Sequence, residues 1–313
     1  SKGYIRNIGD LKATMDDASP KEISIHATNG TKSLENKSEG SFVTITESEG
    51  NYDTEEENWT VTVVAKDKAG NETKKVFTVI KDTVSPEVFF SGANDAMYYN
   101  HNISITQSAK DKGLKDKNMK ISLVPAGENK SEEIKENVLL KEGKYTVTGT
   151  AEDYAGNKTE KKISFVIDKT APEVNYEGLK KNAHYRNPGE LTVKANEPGS
   201  LNIAAERDGE TFFAGNTPDK KTLKNWEKDG DYTITTIATD LAGNASEKTV
   251  FKFVKDSTKP KLDISGVKEG AYYNKTQTVQ FKALERYFKT NKVKVLITKE
   301  LKGNESEIPY EFT

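Results

Sequence analysis

Aspartate and asparagine are the residues of this chain whose spacing could do chemistry. Three short stretches concentrate them: Asp67 to Asn71, Asp153 to Asn157 and Asp240 to Asn244, each reading Asp-x-Ala-Gly-Asn, with Gly70, Gly156 and Gly243 before the last residue. Each offers two oxygen-bearing side chains beside a glycine, and a further aspartate follows each one, at Asp82, Asp168 and Asp256. Such oxygens either accept backbone N–H groups in a tight turn or ligate a hard cation. Calcium takes roughly six to eight oxygens, and about three are evident at each place. Turn formation is therefore the reading adopted, with no cofactor, and calcium at Asp82, Asp168 and Asp256 is the alternative.

The remaining polar chemistry is dispersed. His26, His101 and His184 fall at unrelated places, whereas a general base or a metal site needs partners converging on one spot. Cysteine is absent, which removes disulfides, thiolate metal sites and cysteine nucleophiles together. With no non-repeated cluster of titratable groups, the chain reads as non-catalytic. The run Asp53-Thr54-Glu55-Glu56-Glu57 reads as a solvated loop, and triplets such as Asn58-Trp59-Thr60 are chance occurrences in a Thr- and Asn-rich sequence. Large side chains outside the repeated pattern are candidate anchors for a ligand: Phe212, Phe213 and Trp226, and then Arg286, Tyr287 and Phe288. Aromatic residues and arginine dominate binding hot spots, although large apolar residues are also the usual constituents of a core.

The elements that must position these residues follow from a long repeat. Asp67, Asp153 and Asp240 are 86 and 87 positions apart, and Pro86, Pro172 and Pro260 recur after 86 and 88. Gly92, Gly178 and Gly266 are each followed seven positions later by Tyr99, Tyr185 and Tyr273. A period of this length is a whole domain. Before each turn, residues alternate with period two, placing Tyr145, Val147, Gly149 and Ala151 on one face. Trp59, Val61, Val63 and Ala65 match them, as do Tyr232, Ile234, Thr236 and Ala238. A second alternating run follows each turn, with Phe77 and Val79, Ile163, Phe165 and Ile167, or Phe251 and Phe253 pointing inward.

Strand, turn and strand make a hairpin. Shorter β-rich runs fill the rest of each unit, at 103–107, 120–124, 191–195, 201–205, 278–282 and 292–298. About seven short strands in such a unit predict an all-β fold of antiparallel two-sheet sandwiches. The connectors ending at Pro86, Pro172 and Pro260 are short and proline-restricted, so the tandem units are expected to form an elongated rod. The boundaries expected are 1–83, lacking its first strand, then 84–169, 170–257 and 258–313, the last clipped before its turn. Both ends falling within a repeat suggests a segment of a longer array.

Composition agrees. Of the 313 residues, 34% are hydrophobic and 31% charged, which favours several small cores over one large one. Forty-seven basic residues against forty-nine acidic ones give a net charge of −2 without a basic stripe, so nucleic acid is not an expected partner. No apolar run is long enough for membrane insertion by this segment.

The pattern Tyr-Thr-Val-Thr-x-x-Ala-x-Asp-x-Ala-Gly-Asn, followed by Asp-x-Thr-x-Pro, resembles the bacterial immunoglobulin-like repeats of Gram-positive surface proteins and adhesins. Gly143, Tyr145 and Val147 look like the Gly-x-Tyr-x-Cys of an immunoglobulin F strand, with Val147 where the cysteine would stand and Tyr145 at the tyrosine-corner position. Trp59 replaces that tyrosine in the first unit. The resemblance implies an extracellular protein, secreted or attached at the cell surface or wall, whose repeats serve as stalk or adhesive module. A host surface or secreted protein or glycan, host immunoglobulin among them, would be the partner, together with neighbouring repeats of the parent chain. Direct capture by one unit is the alternative, and an accessory role beside a secreted glycan-active enzyme a further one. Some adhesin domains of this kind carry Lys–Asn crosslinks, which need a buried asparagine beside a lysine and a carboxylate. Asn71, Asn157 and Asn244 are instead expected in solvent-exposed turns.

Overall fold

The computed structural model describes residues 3–46, 56–288, 293–298 and 307–312. It is all-β, and its described residues include one 3₁₀ turn, Ile8–Asp10, and no α-helix. Among the described residues, no helix is long and apolar enough to cross a membrane. The chain divides into two compact units, Ser1–Thr170 and Ala171–Thr313.

The first unit begins with β1 (Gly3–Ile5), β2 (Lys12–Thr14), β3 (Pro20–Thr28), β4 (Ser33–Ser38), β5 (Phe42–Thr44), β6 (Glu57–Asp67) and β7 (Glu72–Lys81). They form a five-stranded sheet ordered β1-β7-β6-β3-β4 and a β2–β5 pair. Trp59, Val61, Ile23, Ile25 and Val43 fill the core between them.

The same unit continues with β8 (Glu87–Ser91), β9 (Tyr98–Tyr99), β10 (Ile103–Ser104), β11 (Thr106–Lys110) and β12 (Leu114–Pro125). After these come β13 (Glu132–Ile134), β14 (Val138–Leu139), β15 (Gly143–Asp153) and β16 (Lys158–Ile167). The main sheet runs β13-β12-β15-β16-β9, and the β11–β8 and β10–β14 pairs face it. Tyr145, Val147, Phe165, Ile105 and Leu123 make a second, separate core.

In the second unit, β17 (Val174–Glu177), β19 (Leu191–Ala195) and β22 (Lys220–Leu223) form one sheet. The other is β18 (His184–Tyr185), β24 (Thr249–Lys255), β23 (Gly230–Asp240), β20 (Gly199–Arg207) and β21 (Glu210–Pro218), in that order. Leu191, Leu201, Ile203, Trp226, Tyr232 and Phe253 lie between them. Beyond it, β25 (Lys261–Ser265) pairs with β26 (Gln280–Leu284), and β27 (Val293–Thr298) with β28 (Glu307–Phe312).

The alternating faces explain these cores. Tyr145, Val147 and Ala151 are buried along β15, and Tyr232, Ile234, Thr236 and Ala238 along β23, because side chains two apart on a strand share a face. Tyr145 Oη donates to the Lys141 carbonyl at 2.9 Å and Tyr232 Oη to that of Lys228 at 2.7 Å, closing a tyrosine corner in each. Trp59 fills the same space by packing, and its indole N–H donates to Glu57 Oε2 at 3.2 Å. One inward expectation fails: Phe77 is 44% exposed. In the next sandwich Val88 and Phe90 of β8 pack over Gly149, and among the described residues the first sheet has no counterpart of the β8–β11 pair to cover Phe77.

The glycine–tyrosine marker is a steric and hydrogen-bonding device. A Cβ on Gly92, Gly178 or Gly266 would lie 1.9, 2.2 or 1.9 Å from the carbonyl oxygen of Ser104, Glu190 or Thr278, and all three glycines have φ near +100° (99, 100 and 91). Tyr99, Tyr185 and Tyr273 then use their hydroxyls to accept the backbone N–H of Asn94, Lys180 and Lys268.

Candidate functional site

The polar residues picked out by spacing gather at the connectors, and the backbone positions them first. The N–H of Asp82 donates to the Ile5 carbonyl, that of Asp168 to Tyr99 and that of Asp256 to Tyr185, at 2.9, 2.9 and 2.8 Å. Those carbonyls end the short strands β1, β9 and β18, which run parallel to β7, β16 and β24. Each aspartate also closes a turn onto its own connector. Oδ1 of Asp82 accepts the Val84 N–H, Oδ1 of Asp168 that of Thr170, and Oδ1 of Asp256 that of Thr258, at 3.0, 3.1 and 3.1 Å.

A second acid grips the connector from the side. Glu142 accepts the Lys169 N–H at 2.7 Å and the Thr170 hydroxyl at 3.0 Å. Asp229 accepts the Ser257 N–H at 2.9 Å, the Thr258 hydroxyl at 2.8 Å and the Lys255 ammonium at 3.0 Å. The Lys255 ammonium, followed by the Ser257 donors, holds the Asp229 carboxyl well below the usual range. Glu56 occupies the corresponding position in the first repeat and pairs with Lys112 at 2.7 Å. These acids were not among the residues singled out by spacing. Their signal was nonetheless present: each stands three positions before Trp59, Tyr145 or Tyr232.

The Asp-x-Ala-Gly-Asn stretches are hairpin turns of one design. Asp67, Asp153 and Asp240 each accept the backbone N–H of the asparagine four residues on, at 2.8 Å in all three. The second carboxylate oxygen accepts the side-chain amide of Asn71, Asn157 and Asn244 at 2.6, 2.8 and 2.7 Å. Gly70, Gly156 and Gly243 supply the positive φ. Hydrogen bonds from Asn71, side chain first, lower the Asp67 pKa.

Exposure of these turns, expected from their glycines, holds for Asn71 and fails for Asn157. Asn157 is buried, because the connector of the first unit lies across it. Its amide donates to the carbonyls of Asp82 and Val84 at 2.9 and 3.3 Å as well as to Asp153. Tyr4 stacks on Tyr154 beside it, with ring centroids 5.8 Å apart. Glycine is required opposite: a Cβ on Gly113 would lie 2.7 Å from the Tyr4 ring.

Three carboxylates meet under this turn. Oxygens of Asp82, Asp111 and Asp153 lie within 4.8 Å of one another. Asp82 and Asp153 are completely buried, and Asp111 is half-buried. Burial pushes the Asp82 and Asp111 carboxyls up, and the charge of Asp153 adds to the effect. Spacing named Asp82 and Asp153; Asp111, on the turn between β11 and β12, was not singled out with them.

The candidate anchors separate. Trp226 is buried in the core and donates its indole N–H to the Gly189 carbonyl at 2.7 Å. Phe213 packs against the same core, with Lys221 5.2 Å above its ring, whereas Phe212 is 51% exposed at the edge of the Trp226–Tyr232 aromatic cluster. Arg286 reaches Asp208 and Asp231 at 3.0 and 3.1 Å, and the Tyr287 hydroxyl donates to Asp231 at 3.1 Å. Burial, followed by the hydrogen bond to Asp231, pushes the Tyr287 phenol up to about 12. Arg286 and Tyr287, with exposed Phe288, His184 and Arg186, line a cleft of about 710 Å³. Of the acidic loop, Asp53, Thr54 and Glu55 lie outside the described residues. His26 bonds Ser33, His101 lies beside Asn100, and His184 packs edge-on to Tyr287.

No family model matches the chain, and no curated protein matches it. Among solved structures it is similar to a tetra-tandem repeat from the extending region of a large adhesion protein, at 16% identity over 98% of this chain and 86% of that one, with a TM-score of 0.39. It is also similar to the D00-D0 domain of Intimin, at 15% identity over 54% and 100% of the two chains, with a TM-score of 0.29. A third is a Ca²⁺-stabilized adhesin that helps an Antarctic bacterium bind ice, at 14% identity over 82% and 72%, with a TM-score of 0.25. At such scores the assignment of fold rests on the sheets and corners themselves.

Proposed function

We propose that this chain is a non-catalytic segment of an extracellular bacterial surface protein, wall-attached in a Gram-positive organism. Its immunoglobulin-like repeats, 1–83, 84–169, 170–257 and 258–313, act as a spacer that projects a binding region toward a host protein or glycan. The recurring connector clamp carries this reading. A catalytic chain concentrates its distinctive polar groups once, in a cleft. Here the same groups are used at Asp82, Asp168 and Asp256 to hold one strand end against the next segment.

Small-angle scattering tests it. Strands of eight or nine residues make a unit close to 30 Å long, so four in series should give a maximum dimension on the order of 120–150 Å. A radius of gyration near ~20 Å, the value for one compact globule of this size, would overturn the spacer reading.

A further inference from the structure

We infer that Asp82, Asp111 and Asp153 form a calcium site where the connector after β7 meets the turns of the following sandwich. Two observations carry it independently. The first is the convergence of three carboxylates within 4.8 Å, from β15, from the turn before β12 and from the connector. The second is Asp82 itself: the side chain is fully buried, and its Oδ2 has no hydrogen-bond partner among the described residues. That atom faces the Asp111–Gly113 turn, since a Cβ on Gly113 would come within 3.3 Å of it.

A buried carboxylate oxygen without a donor is costly, and two further carboxylates beside it add repulsion. The nearby cation does not resolve this. Lys112 is 81% exposed and reaches outward to Glu56. Each carboxylate is already oriented by the backbone: Asp82 by Val84 N–H, Asp111 by Gly113 N–H at 2.7 Å and Asp153 by Asn157 N–H. Preorganised oxygens with no nitrogen or sulfur donor select a hard cation. Three carboxylates can supply about three to six of the oxygens that calcium accepts in irregular geometry, whereas magnesium demands a near-ideal octahedron and keeps its waters. The sequence repeats part of this arrangement. Asp82 to Asp111 is 29 positions, as is Asp256 to Glu285, and Glu285 also accepts the N–H two residues on, from Tyr287. The inference stands on this junction's geometry and does not depend on the spacer reading.

The experiment is calcium titration of the chelator-stripped 313-residue chain by calorimetry, with Asp82→Asn and Asp111→Asn alongside. The expected result is saturable binding, with each variant binding one ion fewer or binding at least tenfold more weakly. Because either substitution could disturb folding, terbium luminescence of the unaltered chain is the second measurement. Tyr4 and Tyr154 lie against the site, so tyrosine excitation should sensitise terbium emission, and calcium should extinguish it at concentrations at least tenfold below magnesium. Absence of saturable binding, variants that titrate like the parent, or equal competition by magnesium would each overturn the assignment.

Discussion

The side-chain amide of Asn157 donates to the backbone carbonyl of Asp82, 75 positions earlier in the chain, at 2.9 Å. One asparagine thus serves its own hairpin and, at once, the strand end of the preceding sandwich. A residue buried with all its donors engaged leaves unsatisfied partners behind when it is removed. Asn157→Ala should therefore cost roughly 2–3 kcal/mol, since the Asp82 and Val84 carbonyls and Asp153 lose a donor together. Asn71→Ala, in the same turn but exposed, should cost about 1 kcal/mol or less. Urea denaturation of the two variants decides between them, and equal costs would refute the distinction.

Alanine at two of the aromatic candidates, Trp226 and Phe212, should give different outcomes. Trp226→Ala removes a core indole and leaves the Gly189 carbonyl unpaired, so a loss of about 3–5 kcal/mol is expected. Phe212→Ala should change stability by less than about 1 kcal/mol, because half of that ring is already in water. Only Phe212→Ala is then a clean probe of direct capture. If pull-down of serum or mucosal ligands falls with this variant while its melting curve stays put, a repeat binds; unchanged capture leaves projection as its role.

Acid should act on the second unit through Asp229. Its folded pKa is depressed by Lys255 and the Ser257 donors, so it contributes stability above the unfolded value of about 3.9, and that contribution is lost as pH falls below it. Asp229→Asn should be less stable than the parent chain near pH 7, and the gap should narrow steadily as pH falls below about 4. Thermal melts across that range measure it; a gap independent of pH would mean that the contact acts through shape and not charge.

The hairpins and their turns were legible because period-two alternation and glycine chemistry are local, and Tyr145, Ile163 and Phe165 lie where alternation places them. The front of β12 was not. The run expected at 120–124 begins earlier, at Leu114, and Asp116, Lys117 and Asn118 pair with β15 past a bulge at Lys115, because a strand exposed on one face tolerates charge there. The two-residue strands β9 and β18 are too short for any alternation, and their tyrosines were visible only as markers. Asp111 was missed although its 29-position spacing from Asp82 recurs between Asp256 and Glu285, because the second residue is a glutamate and the shared position shows only once the connector is folded against its turn. Asn157 shows the same limit in reverse: its turn was evident, and its burial came from a segment 75 positions away.

The parallel course of β1 with β7, β9 with β16 and β18 with β24 bears on how each sandwich would answer tension applied along the chain. The early strand enters from one end of a sandwich and the late strand leaves at the other, so tension along the chain pulls the two past each other lengthwise. Bonds arranged in this way resist shear as a group instead of opening in succession like a zipper. Two or three residues of pairing, extended by the N–H of Asp82, Asp168 or Asp256, place that resistance at the points where force would enter and leave.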